Sequence, residues 1–323
     1  MWAYGDARLA VRDGLRLSRA MTFKAAVADL PLGGGKGVIM VPQGVRCPPR
    51  QRRAALLDFG DLVQSLDGRY VTAEDVGTSS RDMSVIAEQT EHVAGLARSR
   101  GGSGDPSPFT ALGVEVSIRA ACERAFGDPS LRGRRICVLG LGHVGSRLAK
   151  RCARAGARLI VADVDERRRT VGRQLDAVWA APEIAWESEV DVLAPCALGG
   201  LLDEDTVPRL RCRVIAGAAN NQLAGEGIAQ RLHDRGILWA PDFVANAGGL
   251  INIAAEQGGY DPAVARRRVG EIAGTLTEIF DRSDATGRTP LAAALDLAGR
   301  RLVAGDPPAP ARPTKSRAGA PAG

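Results

Sequence analysis

The sequence predicts an α/β protein of two domains with a cleft between them, on three observations. From about residue 110 short apolar runs alternate with helical stretches, the pattern of a parallel sheet with crossover helices. A glycine turn stands directly after the first of those runs. Residues 1–108 instead mix amphipathic helices with short extended pieces, and 323 residues at 45% hydrophobic and 25% charged are enough for two cores.

Along the first domain, residues 7–21 put Val11 and Leu15 on one ridge beside Ala10, Leu17 and Met21, which reads as a helix. Residues 51–66 repeat the pattern with Leu56, Phe59, Leu62, Val63 and Leu66, and Asp67-Gly68 supplies the stop. A strand is expected at Tyr70-Val71-Thr72, and Ser79 with Asp82 predicts a capping box opening a helix through Met83, Ile86 and Ala87. The loop Gly101–Pro108 marks a passage between domains. Helix 110–126 then leads into strands at Ile136–Leu139 and Leu159–Ala162, with later apolar runs at Val190–Leu193, Val214–Ala216 and Ile237–Ala240. These signals give a first domain of residues 1–108, completed by a helix at 288–303, a second domain of 109–287, and a disordered Pro/Ala/Gly-rich tail over 304–323.

The net charge of +6 falls to about +4 without the basic tail, weak support for nucleic acid. Arg167-Arg168-Arg169 reads either as a solvated helix face or as a phosphate contact. Six cysteines without C-x-x-C pairing read as buried reduced thiols, and neither His92, His143 and His233 nor the cysteines have metal-ligand spacing. No apolar stretch approaches 18 residues and MWAYGDARLA has no signal-peptide character, so the expected compartment is the cytoplasm.

Gly140-Leu141-Gly142-His143-Val144-Gly145 is a G-x-G-x-x-G that closes a strand and opens a helix. In that setting Gly140 permits the tight turn, Gly142 lets a pyrophosphate approach the backbone, and Gly145 allows helix and strand to pack closely. Asp163, at the end of the next strand, is placed to accept ribose hydroxyls and to repel a 2′-phosphate. The reading is a Rossmann domain that binds NAD in preference to NADP.

Lys24 and Lys36 stand in the apolar, glycine-rich stretch Met21–Lys36. A phosphate loop fails there at two positions, Leu30 and Gly37. Two readings remain: a surface hairpin with solvated lysines, or a site where Gly33-Gly34-Gly35 lets backbone crowd a small ligand.

Six blocks in order, MTFK…LPLGGGKGVI, GRYVTAEDVGTS, GDPSPFTALGV, APCALGG, VIAGAANNQL and APDFVANAGGLIN, resemble the Glu/Leu/Phe/Val dehydrogenase family, and within it the leucine, valine and phenylalanine dehydrogenases. The resemblance implies that Lys24 binds a substrate carboxylate, Lys36 is the catalytic lysine and Asp75 its acid/base partner. It further implies that Thr110 contacts the nicotinamide amide, that Ala197, Ala218 and Asn221 lie on cofactor-binding loops with Asn221 also reaching the substrate, and that Asn246 fixes the substrate amino group or the cofactor. Ala73, Leu250 and Ile253 would line an apolar side-chain pocket with no charge for a second carboxylate. The implied activity is NAD-dependent oxidative deamination of an apolar L-amino acid by a homo-oligomer, with a branched aliphatic substrate and phenylalanine as the alternative. The chain begins where such proteins have already run through an N-terminal segment, which leaves a mis-assigned start or a truncated, non-catalytic NAD-binding protein open. Gly37, where Ser, Thr or Ala is usual, reads as a small change.

Overall fold

The computed structural model describes residues 1–304 except 45, 46, 198 and 258, so all of the expected tail but residue 304, which ends the last helix, lies outside the described residues. The N-terminal lobe pairs β1 (Trp2–Tyr4) in parallel with β2 (Met40–Pro42), connected through α1 (Ala7–Val27). Asp6 caps α1 by accepting the Arg8 N–H at 2.8 Å. α2 (Pro49–Ser65) and α3 (Ser80–Ile86) follow, and the Ser79/Asp82 capping box forms as the residues predict. A small core of Leu56, Met83, Ile86 and Val93 holds this lobe together.

Two expectations here need correction. Val11 and Leu15 face outward, 63% and 69% exposed, while the Ala10 side of α1 is buried. The predicted strand at Tyr70–Thr72 shrinks to a single bridge between Thr72 and Val93, because among the described residues no neighbouring strand lies alongside to extend the ladder.

The second lobe begins with α4 (Ser107–Phe126), three residues earlier than periodicity suggested. It continues through β3 (Arg135–Leu139), α5 (His143–Arg154), β4 (Arg158–Ala162), α6 (Arg169–Gln174), β5 (Val178–Trp179), α7 (Pro182–Ala185), β6 (Val192–Pro195), β7 (Val214–Ile215), α8 (Gly227–Asp234) and β8 (Leu238–Trp239). All six strands are parallel, in the order β5-β4-β3-β6-β7-β8. The chain therefore runs outward from β3 to β5 and then returns to β3's other side, which makes the β3/β6 boundary the switch point where such sheets hold ligands. Alternation on β3 sends Val138 into the core on one face and Cys137 and Leu139 into the core on the other.

α9 (Asp242–Ala245), α10 (Gly248–Ala254), α11 (Pro262–Gly270), α12 (Ile272–Thr286) and α13 (Pro290–Ala304) close the fold, and α13 packs against both α1 and α12. The larger core is shared: Ala25, Ala26 and Val27 of α1 are buried with Phe109, Val244, Ile279 and Leu297. The end of α1 is fastened from two sides. Arg301 of α13 donates to the Ala26 and Val27 carbonyls at 3.3 and 2.7 Å, and Arg268 of α11 donates to the Asp29 carbonyl at 3.1 Å. Cations at a helix C-terminus satisfy its free carbonyls and oppose its dipole.

Candidate active site

At the switch point three loops meet. Gly140 has φ +93, a conformation few side chains tolerate, and a Cβ there would stand 2.8 Å from the Ala197 backbone nitrogen. A Cβ at Gly145 would come within 1.9 Å of the Gly140 carbonyl, whereas Gly142 faces open space at the N-terminus of α5. Two glycines thus serve packing and the middle one leaves room for a ligand. His143 is exposed and Val144 packs on the shared core. Asp163 takes the Leu141 N–H at 2.6 Å on one oxygen and the Asp165 N–H at 2.8 Å on the other. It bolts the turn to the end of β4, and each oxygen keeps a lone pair for a hydroxyl.

The loop after β6 rests on the loop after β7. The Gly200 N–H donates to the Asn221 carbonyl at 2.7 Å, and a Cβ at Gly199 would meet the Asn220 carbonyl at 2.4 Å. Asn221 itself has φ +52 and an exposed side chain, so its place in the turn is secured by the backbone. Gln222, fully buried, donates to the Gly217 and Ala219 carbonyls at 3.1 Å each and accepts the Trp239 indole N–H at 3.0 Å.

Across from these loops lie the two lysines. Lys24, on α1, donates to Asn220 Oδ1 at 3.1 Å, and the same oxygen accepts Asn246 Nδ2 at 2.8 Å. Asn246 Nδ2 also donates to the Ala218 carbonyl at 3.1 Å, while its Oδ1 is buried without a donor. Lys36 forms an ion pair with Asp75 Oδ2. The other Asp75 oxygen accepts the Val76 N–H at 2.7 Å, and Thr78 closes the turn through the Asp75 N–H and carbonyl. Burial pulls the Lys24 ammonium down to about 8, with Asp242 acting against the shift and Lys36 adding to it. Burial also lowers Lys36, opposed by Asp13.

Gly33 faces open space, but the next two glycines before Lys36 act differently from the expectation that they crowd a ligand. A Cβ at Gly34 would overlap Thr22 of α1, and one at Gly35 would run into the Tyr70 ring, so protein occupies that space. Gly37 is also more than a small change: its Cβ would stand 2.4 Å from the Phe59 ring, and its N–H donates to Tyr70 Oη at 2.9 Å.

Thr110 is half-buried near the start of α4, where a Cβ on Gly249 would come 2.6 Å from its hydroxyl. Ala73, Leu250 and Ile253 are all half-buried. Ala73 lies two residues before Asp75, the other two lie on α10, and Gly95 links these regions. Its N–H donates to Glu256 at 3.0 Å, and its Cβ position stands 3.9 Å from the Glu74 nitrogen. Two residues of the site escaped sequence reasoning. Asn220 reads as a turn former, and Asp242 lies in a block whose expected site residues are Asn246 and Leu250; the acidic residue four positions before Asn246 is the available signal.

A family model described as "Glu/Leu/Phe/Val dehydrogenase, dimerisation domain" matches residues 6–92, and one described as "Glutamate/Leucine/Phenylalanine/Valine dehydrogenase" matches residues 161–260. A leucine dehydrogenase of Thermoactinomyces intermedius is 41% identical over 304 residues, 94% of this chain and 82% of that protein. A valine dehydrogenase of Streptomyces virginiae is 43% identical over 309 residues, 93% of this chain and 84% of that one. The crystal structure of L-tryptophan dehydrogenase from Nostoc punctiforme superposes with a TM-score of 0.80 at 39% identity, covering 93% and 85% of the two chains. The first matched stretch holds Lys24, Lys36 and Asp75 and the second holds Asp163, the 217–222 loop and Asn246, so both halves of the site fall within the likeness: the chain belongs to the Glu/Leu/Phe/Val dehydrogenase family, which consists of amino acid dehydrogenases.

Proposed function

We propose that this amino acid dehydrogenase uses NAD to deaminate a branched aliphatic L-amino acid such as leucine or valine to its 2-oxo acid. The observation that carries the reading is a pair of desolvated lysines whose charges bear on each other, Lys24 sharing the Asn220 oxygen with Asn246 and Lys36 paired with Asp75. Lys24 offers a compact cation for the α-carboxylate, and the donorless Asn246 Oδ1 is an acceptor suited to an ammonium or a carboxamide N–H. The open space over Gly142 at the start of α5 fits a pyrophosphate, and Asp163 fits ribose hydroxyls. NAD supplies the hydride acceptor when bound. Lys36, its ammonium destabilised by burial, takes a proton from the water that attacks the substrate iminium, and Asp75 delivers a proton to the departing nitrogen.

NAD is favoured over NADP because the nearby arginines are engaged. Arg167 pairs with Asp165 at 2.8 Å, Arg168 lies 3.9 Å from the same carboxylate, and Arg169 pairs with Glu166 at 2.5 Å. An aromatic substrate is the competing reading, favoured by the structural likeness to a tryptophan dehydrogenase. The exposed Trp2, Leu9, Val11 and Leu15, within and beside the stretch matched as a dimerisation domain, support a homo-oligomer. Six unpaired cysteines suit a reducing cytoplasm. The test is NADH and NADPH formation with leucine, valine, phenylalanine, tryptophan and glutamate. Leucine or valine with NAD should give the highest kcat/KM; a preference for an aromatic substrate or for NADP would overturn the corresponding part of the reading.

A further inference from the structure

We propose that Asp242 is the buried counter-charge of Lys24, a positioning residue that acts on the substrate carboxylate through that lysine; this rests on the reading of Lys24 as the carboxylate's partner. Asp242 is the first residue of α9 and only 9% exposed. Its Oδ2 accepts the Gln222 N–H at 2.8 Å, and among the described residues it has no ion-pair partner within 4 Å. A carboxylate is seldom buried on neutral donors alone. Burial pushes the Asp242 carboxyl up from its ordinary range; the Gln222 N–H opposes that shift, and so does the charge of Lys24, on the helix that packs against α9.

The same contact fixes direction. Gln222 locks the 217–222 loop through three further hydrogen bonds, and that loop carries Asn220, the acceptor for Lys24 Nζ at 3.1 Å. Asp242 therefore stands behind the lysine in two senses: it supplies the opposite charge, and it anchors the loop that aims the ammonium. An arriving substrate carboxylate displaces Asn220 from Lys24 while Asp242 stays in place beneath, so the lysine need not be charged anew. The other charged groups around α1 do not substitute for it. Lys36 repels Lys24 and is itself faced by Asp75 and Asp13, while Arg301 of α13 and Arg268 of α11 are spent on the carbonyls ending α1.

The experiment compares wild type, Asp242→Asn, Asp242→Glu, Lys24→Ala and the Lys24→Ala/Asp242→Asn double variant. For each, the pH dependence of kcat and KM is measured with L-leucine, and NADH affinity by fluorescence titration. Asn keeps the acceptor for the Gln222 N–H and removes only the charge, so KM should rise about tenfold at alkaline pH and the alkaline limb of kcat/KM should move about one unit toward acid. NADH affinity should stay within about twofold, since uniform cofactor binding is untouched. Asp242→Glu should restore the limb, and Asp242→Asn should add nothing once Lys24 is gone. If Asp242→Asn does not fold, Asp242→Ser takes its place with the same expectations. An unchanged KM and limb in Asp242→Asn, with KM raised in Lys24→Ala, would overturn the role of Asp242 and leave the carboxylate reading standing. An unchanged KM in Lys24→Ala would overturn both, and an equal loss on adding Asp242→Asn to Lys24→Ala would reduce Asp242 to loop scaffolding.

Discussion

On the proposed reading Lys24 and Lys36 are the same side chain put to opposite uses. Lys24 then keeps its proton to hold a carboxylate, with Asp242 opposing the pull of burial, and Lys36 loses its proton to act as a base, which its desolvation favours. The sign of the pH dependence follows. Activity should rise as Lys36 deprotonates and fall as Lys24, which burial brings down to about 8, loses its proton. Lys36→Ala should lower kcat by about 10²–10⁴-fold, the usual worth of a positioned general base. NADH affinity should survive, because Lys36 lies on the N-terminal lobe and the glycine turn on the other. A variant retaining more than a tenth of wild-type kcat would take the base role from Lys36.

At the scale of elements, the crossing of α4 and α10 shows how little side chain the site tolerates. A Cβ on Gly248 would come within 2.2 Å of the Phe109 carbonyl, one on Gly249 within 2.6 Å of Thr110 Oγ1, and one on Gly113 within 3.3 Å of the Gly248 nitrogen. Helix propensity alone would make Gly248→Ala favourable by up to about 1 kcal/mol. The clash is with backbone, which cannot step aside, so overpacking of about 1–3 kcal/mol should prevail. Gly274, exposed in α12 with open space around its Cβ position, provides the opposite case: Gly274→Ala should gain about 0.5–1 kcal/mol. Thermal melts of the two variants should move in opposite directions, and a stabilised Gly248→Ala would show that the helices can separate without loss.

Over the whole molecule, the last helix secures the first. Arg301 reaches from α13 to the carbonyls of Ala26 and Val27, within a turn of Lys24, so segments 275 residues apart meet beside the proposed carboxylate partner. Arg301→Ala should cost about 1.5–3 kcal/mol, the range for a hydrogen bond to a charged group, and should raise the KM for the amino acid by loosening the end of α1. A lowered melting temperature with unchanged KM would mean that α13 supports stability without placing Lys24. The shared core argues for coupling, since Val27, Val244 and Leu297 are buried in one cluster.

The roles expected of Lys24, Lys36, Asp75 and Asn246 came from the resemblance of six blocks to a family, whereas the sequence by itself determined the parallel sheet and the glycine turn. Those are local properties: alternation, 3.6-residue periodicity and glycine spacing act between residues a few positions apart. Tertiary structure decided what each local feature faces. Whether Gly34 and Gly35 make room for a ligand or for Thr22 and Tyr70, whether Val11 and Leu15 turn inward, and whether Tyr70–Thr72 finds a strand to pair with depend on distant segments. The same holds for the charge on Lys24. Its acceptor is 196 residues away and its counter-charge lies in a separate helix, and desolvation, which sets the chemistry of both lysines, exists only once the chain has closed around them.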